Sequence, residues 1–424
     1  MPIVTELELP ALDYTDPSLR GERFHTAMRD LRAHGWLARG PFGFIVLDRE
    51  SSEFFLRTRA ATFPGMKIAE IFGVSDGPLY EQMKHNILHV NGADHARLRS
   101  LVNPALSPRA VERYTPAMRE FLEGLFEQVL ATSSPGDGQH GTSVSCEFVD
   151  AFAKPYPSQV IATVMGAPLA DAPRLHHWSN WIQRQFDAAS MASERDQIEL
   201  AVEQFYGYAE ELLRARRQDP RDDLISMFIE AEEAGERLSD VECINLVFNV
   251  LAGGVDTTQS QLAHTVRLLA ENPQQWALLV ENPELAEAAV DEALRFEPIT
   301  PFTARITTED IVFRDVTFPQ GTIVMVCAFT GNRDLAPGER GSAGPDDFDI
   351  TATHRTSASG SARALTFGAG VHYCVGANLA RLELREALTF LAQRVQRLEL
   401  DGPTVFDTIT GIYGLTQLPL RLSL

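Results

Sequence analysis

Paired cysteines are missing from this chain. Cys146, Cys243, Cys327 and Cys374 are scattered without a Cys-x-x-Cys or any other short pairing, which argues against a disulfide framework and for a reducing, cytoplasmic setting. Long apolar runs are missing too. No stretch approaches the roughly 18 consecutive apolar residues of a membrane-spanning helix, since even Ile244–Val255 is interrupted by Asn245 and Asn249. The segment from Met1 to Pro10 lacks a basic region followed by an apolar core, so no export signal is read there. Positive charge is in deficit. The formal net charge of -21 argues against non-specific nucleic-acid binding and for good solubility, while leaving local basic patches open. What is present, 44% hydrophobic and 22% charged residues, is the balance of a globular protein with a sizeable core. A length of 424 residues on its own suggests two or three units, although large one-domain enzymes reach this size.

The stretch from Phe367 to Gly376, Phe-Gly-Ala-Gly-Val-His-Tyr-Cys-Val-Gly, isolates one thiol among glycines just before a helix. Leu379, Leu382, Leu384, Leu388 and Leu391 predict that amphipathic helix over Ala377 to about Gln396. Gly368, Gly370 and Gly376 permit close backbone approaches, so that peptide N–H groups can point at the sulfur. A helix N-terminus also favours thiolate over thiol. Several readings of Cys374 compete. Structural zinc needs about four ligands in short-spaced pairs, and no second cysteine lies nearby. A nucleophile needs a positioned base, for which His372 is a candidate. A thiolate can also be the axial ligand of a haem iron. The plain alternative is a small buried cysteine in a glycine turn.

Ser239-Asp-Val-Glu242 predicts a capping box, after which apolar residues continue at helical spacing to Ala270, before Asn272-Pro273. Such a helix would run about 50 Å at 1.5 Å per residue. In its middle lies Ala252-Gly-Gly-Val-Asp-Thr-Thr258. Two adjacent glycines weaken a helix by about 1 kcal/mol each, and a buried acid adds a desolvation cost. The segment reads either as a packing crossover or as a local widening that admits a small ligand, with Asp256 and Thr257 able to relay protons. His95 and Arg99 stand one turn apart on a helix beginning near Asp94, suited to a carboxylate or phosphate, or else simply a solvated face. Glu292 and Arg295, three residues apart, can pair on one helix face.

The residues 367–376 resemble the haem-ligand loop of the cytochrome P450 family, Phe-Gly-x-Gly-x-His-x-Cys-x-Gly, at every fixed position, and motifs near residues 95, 253, 292 and 305 follow in the family's order. The resemblance implies a single domain over residues 1–424, mainly α-helical with a smaller β-rich portion near 40–60 and 305–330. Haem b would lie between the long helix and the loop. Cys374 would be the axial iron ligand, and His95, Arg99 and Arg305 would contact the propionates. Phe367, Gly368, His372, Gly376, Ala252 and Gly253 would complete the haem site. Asp256 and Thr257 match the acid–alcohol pair that delivers protons during O2 activation, and Glu292 and Arg295 match an element for folding and haem retention. The implied pocket takes Ile71, Phe72, Ile87 and Leu88 from a glycine-punctuated lid, and Phe248, Leu251 and Val255 from the long helix. Ile299, Phe302, Thr303, Ile412 and Tyr413 complete it.

The function implied is insertion of one oxygen atom from O2 into a hydrophobic small molecule, by hydroxylation or epoxidation. Electrons would come from a separate ferredoxin and ferredoxin reductase, since the chain ends 50 residues beyond Cys374, with Arg97, Arg109 and Arg113 as charges on the docking face. Alternatives are a haem sensor or carrier, a hydrolase using Cys374 and His372, and, within the family, oxidative coupling or desaturation. The sequence also departs from the pattern: Ala352 stands where an arginine usually follows Phe-Asp-x-x. Arg355, with His354 as second choice, is then expected to complete the network of Glu292 and Arg295. Elsewhere the patterns predict helices over 20–40, 150–165, 170–192, 195–217 and 221–234, an apolar strand at Phe42–Leu47, and a surface loop over Thr132–Ser145.

Overall fold

A computed structural model describes residues 1–132, 143–233, 238–335, 340, 343–352 and 364–424. Helices dominate it, as the patterning predicts, and the sheets are small. The largest sheet has five strands in the order Leu37–Gly40, Gly43–Val46, Ile323–Cys327, Phe302–Thr307 and Ala61–Thr62. Its two halves are far apart in sequence. Gly43–Val46 runs parallel to Ile323–Cys327, pairing Phe44 with Val324, and Phe302–Thr307 runs antiparallel to the same strand, pairing Arg305 with Val324. The expected β-rich regions therefore share this sheet, with Ile311–Phe313 and Val316–Phe318 forming a separate two-stranded one, but residues 49–57 within the first form a helix capped by Asp48, whose carboxylate accepts from the Ser51 N–H at 2.8 Å. The helix expected over 20–40 ends at Ala33, because 37–40 is taken into the sheet.

The central helix forms as its capping box predicts. Ser239 N–H donates to Glu242 Oε2 at 2.9 Å, and Glu242 N–H donates back to Ser239 Oγ at 3.3 Å. It is not one regular rod. Asp240–Gly254 and Asp256–Glu271 meet at Val255, whose ψ of -73 tilts its carbonyl away from the regular ladder. The two glycines before this break have different uses. A Cβ on Gly254 would lie 2.3 Å from Ile161 Cδ1, so that position buys close packing against the Pro155–Met165 helix. A Cβ on Gly253 would meet nothing within 4 Å, so Gly253 leaves bare backbone facing open space.

The other elements shift in detail. The helix predicted over 170–192 breaks after Gln183 into a short turn, Arg184–Phe186, and a second helix, Ala188–Ser193, capped by Asp187. The lid region holds two short helices, Met66–Ile71 and Gly77–His85. Of the predicted surface loop, residues 133–142 lie outside the described residues, and Ser143–Glu147 is a strand paired to the C-terminal Pro419–Ser423.

Candidate functional site

The glycine loop turns back on itself and presents Cys374 at the head of the Ala377–Ala392 helix. Cys374 N–H donates to the Phe367 carbonyl at 2.9 Å, closing the loop. Gly370 sits at φ +71, and a Cβ there would lie 2.5 Å from the Leu56 carbonyl oxygen, so the loop can press against the Arg49–Arg57 helix only because position 370 lacks a side chain. The N–H groups of Gly376 and Ala377 point at the sulfur, as the sequence suggests. Burial nevertheless outweighs them and pushes the thiol up from its ordinary range. The helix terminus thus favours the thiolate, as the sequence suggests, and burial opposes it.

His372 is not a base for this thiol. Its Nε2 is 3.2 Å from Asn91 Oδ1 and its buried Nδ1 has no partner. Its ring lies 4.3 Å from that of His95 on the Gly92–Val102 helix, which also carries Arg99 one turn on. Burial lowers the basicity of both imidazoles, with His372 brought down to about 3. Arg305 is buried, and among the described residues its single hydrogen bond is to the Ala304 carbonyl at 2.9 Å. Burial brings its guanidinium down to about 10. An arginine held this way is short of an anion.

These groups share one cavity of about 460 Å³. Cys374, Phe367, Gly368, His372 and Gly376 line it on one side, with Ala252, Gly253 and Thr257 also in its wall. Arg99, Arg305 and His95 line it as well. A flat anionic group with a metal at its centre fits this donor set: a soft sulfur ligand, two under-satisfied guanidiniums, an unpartnered imidazole nitrogen and a stretch of side-chain-free backbone. Of the expected pocket residues, Ile71, Phe72, Ile87, Leu88, Phe248, Ile299, Phe302, Thr303 and Ile412 line the same cavity.

Leu251, Val255 and Tyr413 do not. Leu251 and Val255 share a helical stripe with Phe248 and Ala252, but their side chains are completely covered by the core and do not reach the cavity. The Tyr413 ring packs against Phe24, Phe406 and His264, and its hydroxyl accepts from the Gly21 N–H at 2.8 Å.

Asp256 and Thr257 also part company. Thr257 faces the cavity and donates to the Gly253 carbonyl. Asp256 is buried on the other side, against the Ala172–Gln183 helix, where Ser179 Oγ donates to it at 3.3 Å and His176 Nε2 is 3.9 Å away. Burial pushes this carboxyl up to about 7, with hydrogen bonds from Ser179 and Asn180 acting in the opposite direction.

Glu292 and Arg295 form a buried, bidentate pair at 2.8 and 2.9 Å. The third member is Arg340, which donates to Glu292 Oε1 at 2.5 Å. Arg355 and His354, expected in that role, lie outside the described residues. Arg97 and Arg113, expected as docking charges, are ion-paired with Glu242 and Asp222. Glu383 escaped the sequence reading. It lines the cavity with both carboxyl oxygens buried and unpartnered, and burial raises it well above the ordinary carboxylate range. The signal was there: Glu383 falls one turn after Leu379, on the apolar face of its helix.

The profile of the cytochrome P450 family matches residues 68–284 and 279–408. Luteothin monooxygenase of Streptomyces thioluteus is 32% identical over 418 residues, covering 98% of this chain and 96% of the relative. Mycinamicin IV hydroxylase/epoxidase of Micromonospora griseorubida is 34% identical, covering 76% and 75%. Among solved structures, CalO2 superposes with a TM-score of 0.86 at 28% identity, covering 98% of this chain and 99% of its own. P450BioI, solved with an acyl carrier protein bearing a fatty acid, gives 0.81 at 28% identity, covering 95% and 99%. The chain belongs to the cytochrome P450 family. It is a monooxygenase of that family, with the haem cofactor, O2 and redox partners that membership entails. Among the described residues no helix is long and apolar enough to cross a membrane.

Proposed function

We propose that this protein binds haem b through Cys374 and inserts one oxygen atom from O2 into a mainly apolar small molecule, in the cytoplasm, with electrons from a separate ferredoxin and ferredoxin reductase. The observation that carries this reading is the single cavity lined by Cys374, Arg99, Arg305, Ala252 and the bare Gly253 backbone.

When bound, haem with a thiolate ligand supplies the O–O cleavage and oxidising power that no side chain possesses. The chain's own residues do the rest. Cys374 holds the iron, and the Gly376 and Ala377 N–H groups stabilise the ligand's negative charge. Arg99 and Arg305 neutralise the cofactor's carboxylates, with His95 and His372 beside them. Thr257 donates its hydroxyl proton to the Gly253 carbonyl and presents its oxygen lone pairs to the cavity, where it accepts a proton or, on rotating away from the carbonyl, donates one. Asp256, whose carboxyl burial raises to about 7, exchanges protons on the Ser179 and His176 side of the helix, and delivers them toward Thr257 by a swing of its side chain across to the cavity. Phe72, Phe248, Ile299 and Phe302 exclude water and hold the substrate's apolar surface.

The test is turnover under isotopically labelled O2. Supplied with a ferredoxin, its reductase and a nicotinamide donor, the enzyme should convert apolar test compounds to products carrying one labelled oxygen atom. Products that form equally well without O2, or that take their oxygen from water, would overturn the reading.

A further inference from the structure

The Gly77–His85 helix stands between two stretches of cavity wall. Ile71 and Phe72 line the cavity just before it, and Asn86, Ile87 and Leu88 just after it. The helix therefore cannot lift without moving both stretches. It buries one face, made of Leu79, Gln82 and Met83, and packs against the Arg195–Gln218 and Asp240–Gly254 helices. Leu79 and Met83 join the main core, as an apolar stripe should. Gln82 breaks that stripe. It is 0% exposed, and among the described residues neither its amide nitrogen nor its amide oxygen has a hydrogen-bond partner. Neither atom has surface that water can reach.

His89 repeats the pattern at the far end of the same segment. Its ring stacks on the cavity-lining Phe63 at 5.5 Å, and its two nitrogens are buried without a full hydrogen bond, with the Met83 carbonyl as a weak polar neighbour. A buried amide without partners sets its whole desolvation cost against the arrangement that buries it, and that cost disappears once water reaches the group. The polar tie from the Arg195–Gln218 helix to this lid lies at the surface, where Arg195 donates to the Gly73 carbonyl at 3.2 Å.

We propose that Gln82 is a built-in release for the lid. Its buried amide keeps the closed position of residues 77–89 poised to open, and this opening is the route by which a ligand enters and leaves the cavity. The release itself stands on the packing of the helix, whereas the entry role rests on the oxygenase reading, in which that cavity holds the substrate.

The experiment compares the haem-loaded, full-length wild type with Gln82→Met, which keeps side-chain length and removes both unpaired groups. Amide hydrogen exchange over residues 79–86 should slow by about 5- to 100-fold in the variant, while exchange in the Pro155–Met165 helix stays unchanged. The association and dissociation rates of 4-phenylimidazole, read from the haem absorption band, should fall together by a similar factor, leaving the affinity within about threefold. Gln82→Leu, of different shape, should act in the same direction, which separates loss of the amide from an accident of packing. Exchange over 79–86 that matches or exceeds wild type in both variants would overturn the release. Slowed exchange with unchanged ligand rates would overturn the entry role. A wild type without the thiolate haem spectrum defeats the oxygenase reading and leaves the exchange comparison to decide the release on its own.

Discussion

The Arg340 guanidinium donates to Glu292 Oε1 at 2.5 Å, and both side chains are almost completely buried. Arg295 grips both oxygens of the same carboxylate and also donates to the Pro345 and Asp347 carbonyls at 2.8 Å. One carboxylate thus ties the Ala286–Phe296 helix to the chain preceding the glycine loop. Removing one partner leaves buried charge uncompensated, a cost of about 3–5 kcal/mol. Arg340→Leu and Glu292→Gln should each lower the urea midpoint for loss of the haem band, Glu292→Gln by more because it strands two arginines.

Gly370→Ala should impair haem incorporation without touching the ligand. The new methyl would meet the Leu56 carbonyl at 2.5 Å in a left-handed backbone conformation, costing about 1–3 kcal/mol or displacing the loop. Haem content after expression and reconstitution is the readout. A variant with wild-type content would show that the loop yields easily.

Asp256 gives a prediction in pH. Its carboxyl is raised to about 7 by burial, so it is largely protonated below that pH and loses its donor form above it. Product formation limited by proton delivery should fall as pH rises through about 7. Asp256→Asn should flatten this limb and slow turnover by about 100-fold or more, while Thr257→Ala should release more hydrogen peroxide per electron pair consumed. An unchanged profile in Asp256→Asn would remove it from the proton route.

Glu383 makes a prediction about stability. Its folded-state pKa is raised by burial, so the folded protein binds more protons than the unfolded chain above the ordinary carboxylate pKa of about 4.3. Stability from this group is intact below that value and is lost as pH rises toward the folded pKa. Glu383→Gln, which carries no charge at any pH, should stabilise the haem protein more at pH 8 than at pH 4.5, by up to about 1.4 kcal/mol per unit of pH crossed. Infrared spectroscopy should also show a protonated-carboxyl band that shifts in D2O and is absent in the variant.

What the sequence made legible was local. The loop around Cys374, the Ser239 capping box, the Gly253–Gly254 weak point and the Glu292–Arg295 pair are each specified within a few residues, and the structure places them as spacing suggests. Relationships across the chain were not legible. Arg340 reaches Glu292 over a separation of 48 residues through a glycine-rich stretch with no periodicity to read. After the break at Val255, the neighbours Asp256 and Thr257 point to different sides, and Leu251 and Val255, although on the Phe248 stripe, are covered by core side chains and do not open to the cavity. Ile412 lines the cavity, whereas its neighbour Tyr413 turns its ring into the core with Phe24 and Phe406, an alternation that sequence order alone does not reveal. Glu383 is legible as an acid on the apolar stripe of Leu379, Leu382, Leu384, Leu388 and Leu391, one turn after Leu379.

The most direct test of the account is the absorption spectrum of the reduced protein under carbon monoxide, for wild type and Cys374→Ser. A strongly red-shifted Soret band in the wild type, lost in the variant while His95, Arg99 and Arg305 remain, is the predicted result. A wild-type protein that is folded and haem-replete yet lacks that band, or a Cys374→Ser variant that keeps it, would contradict Cys374 as the iron ligand and with it the proposed chemistry.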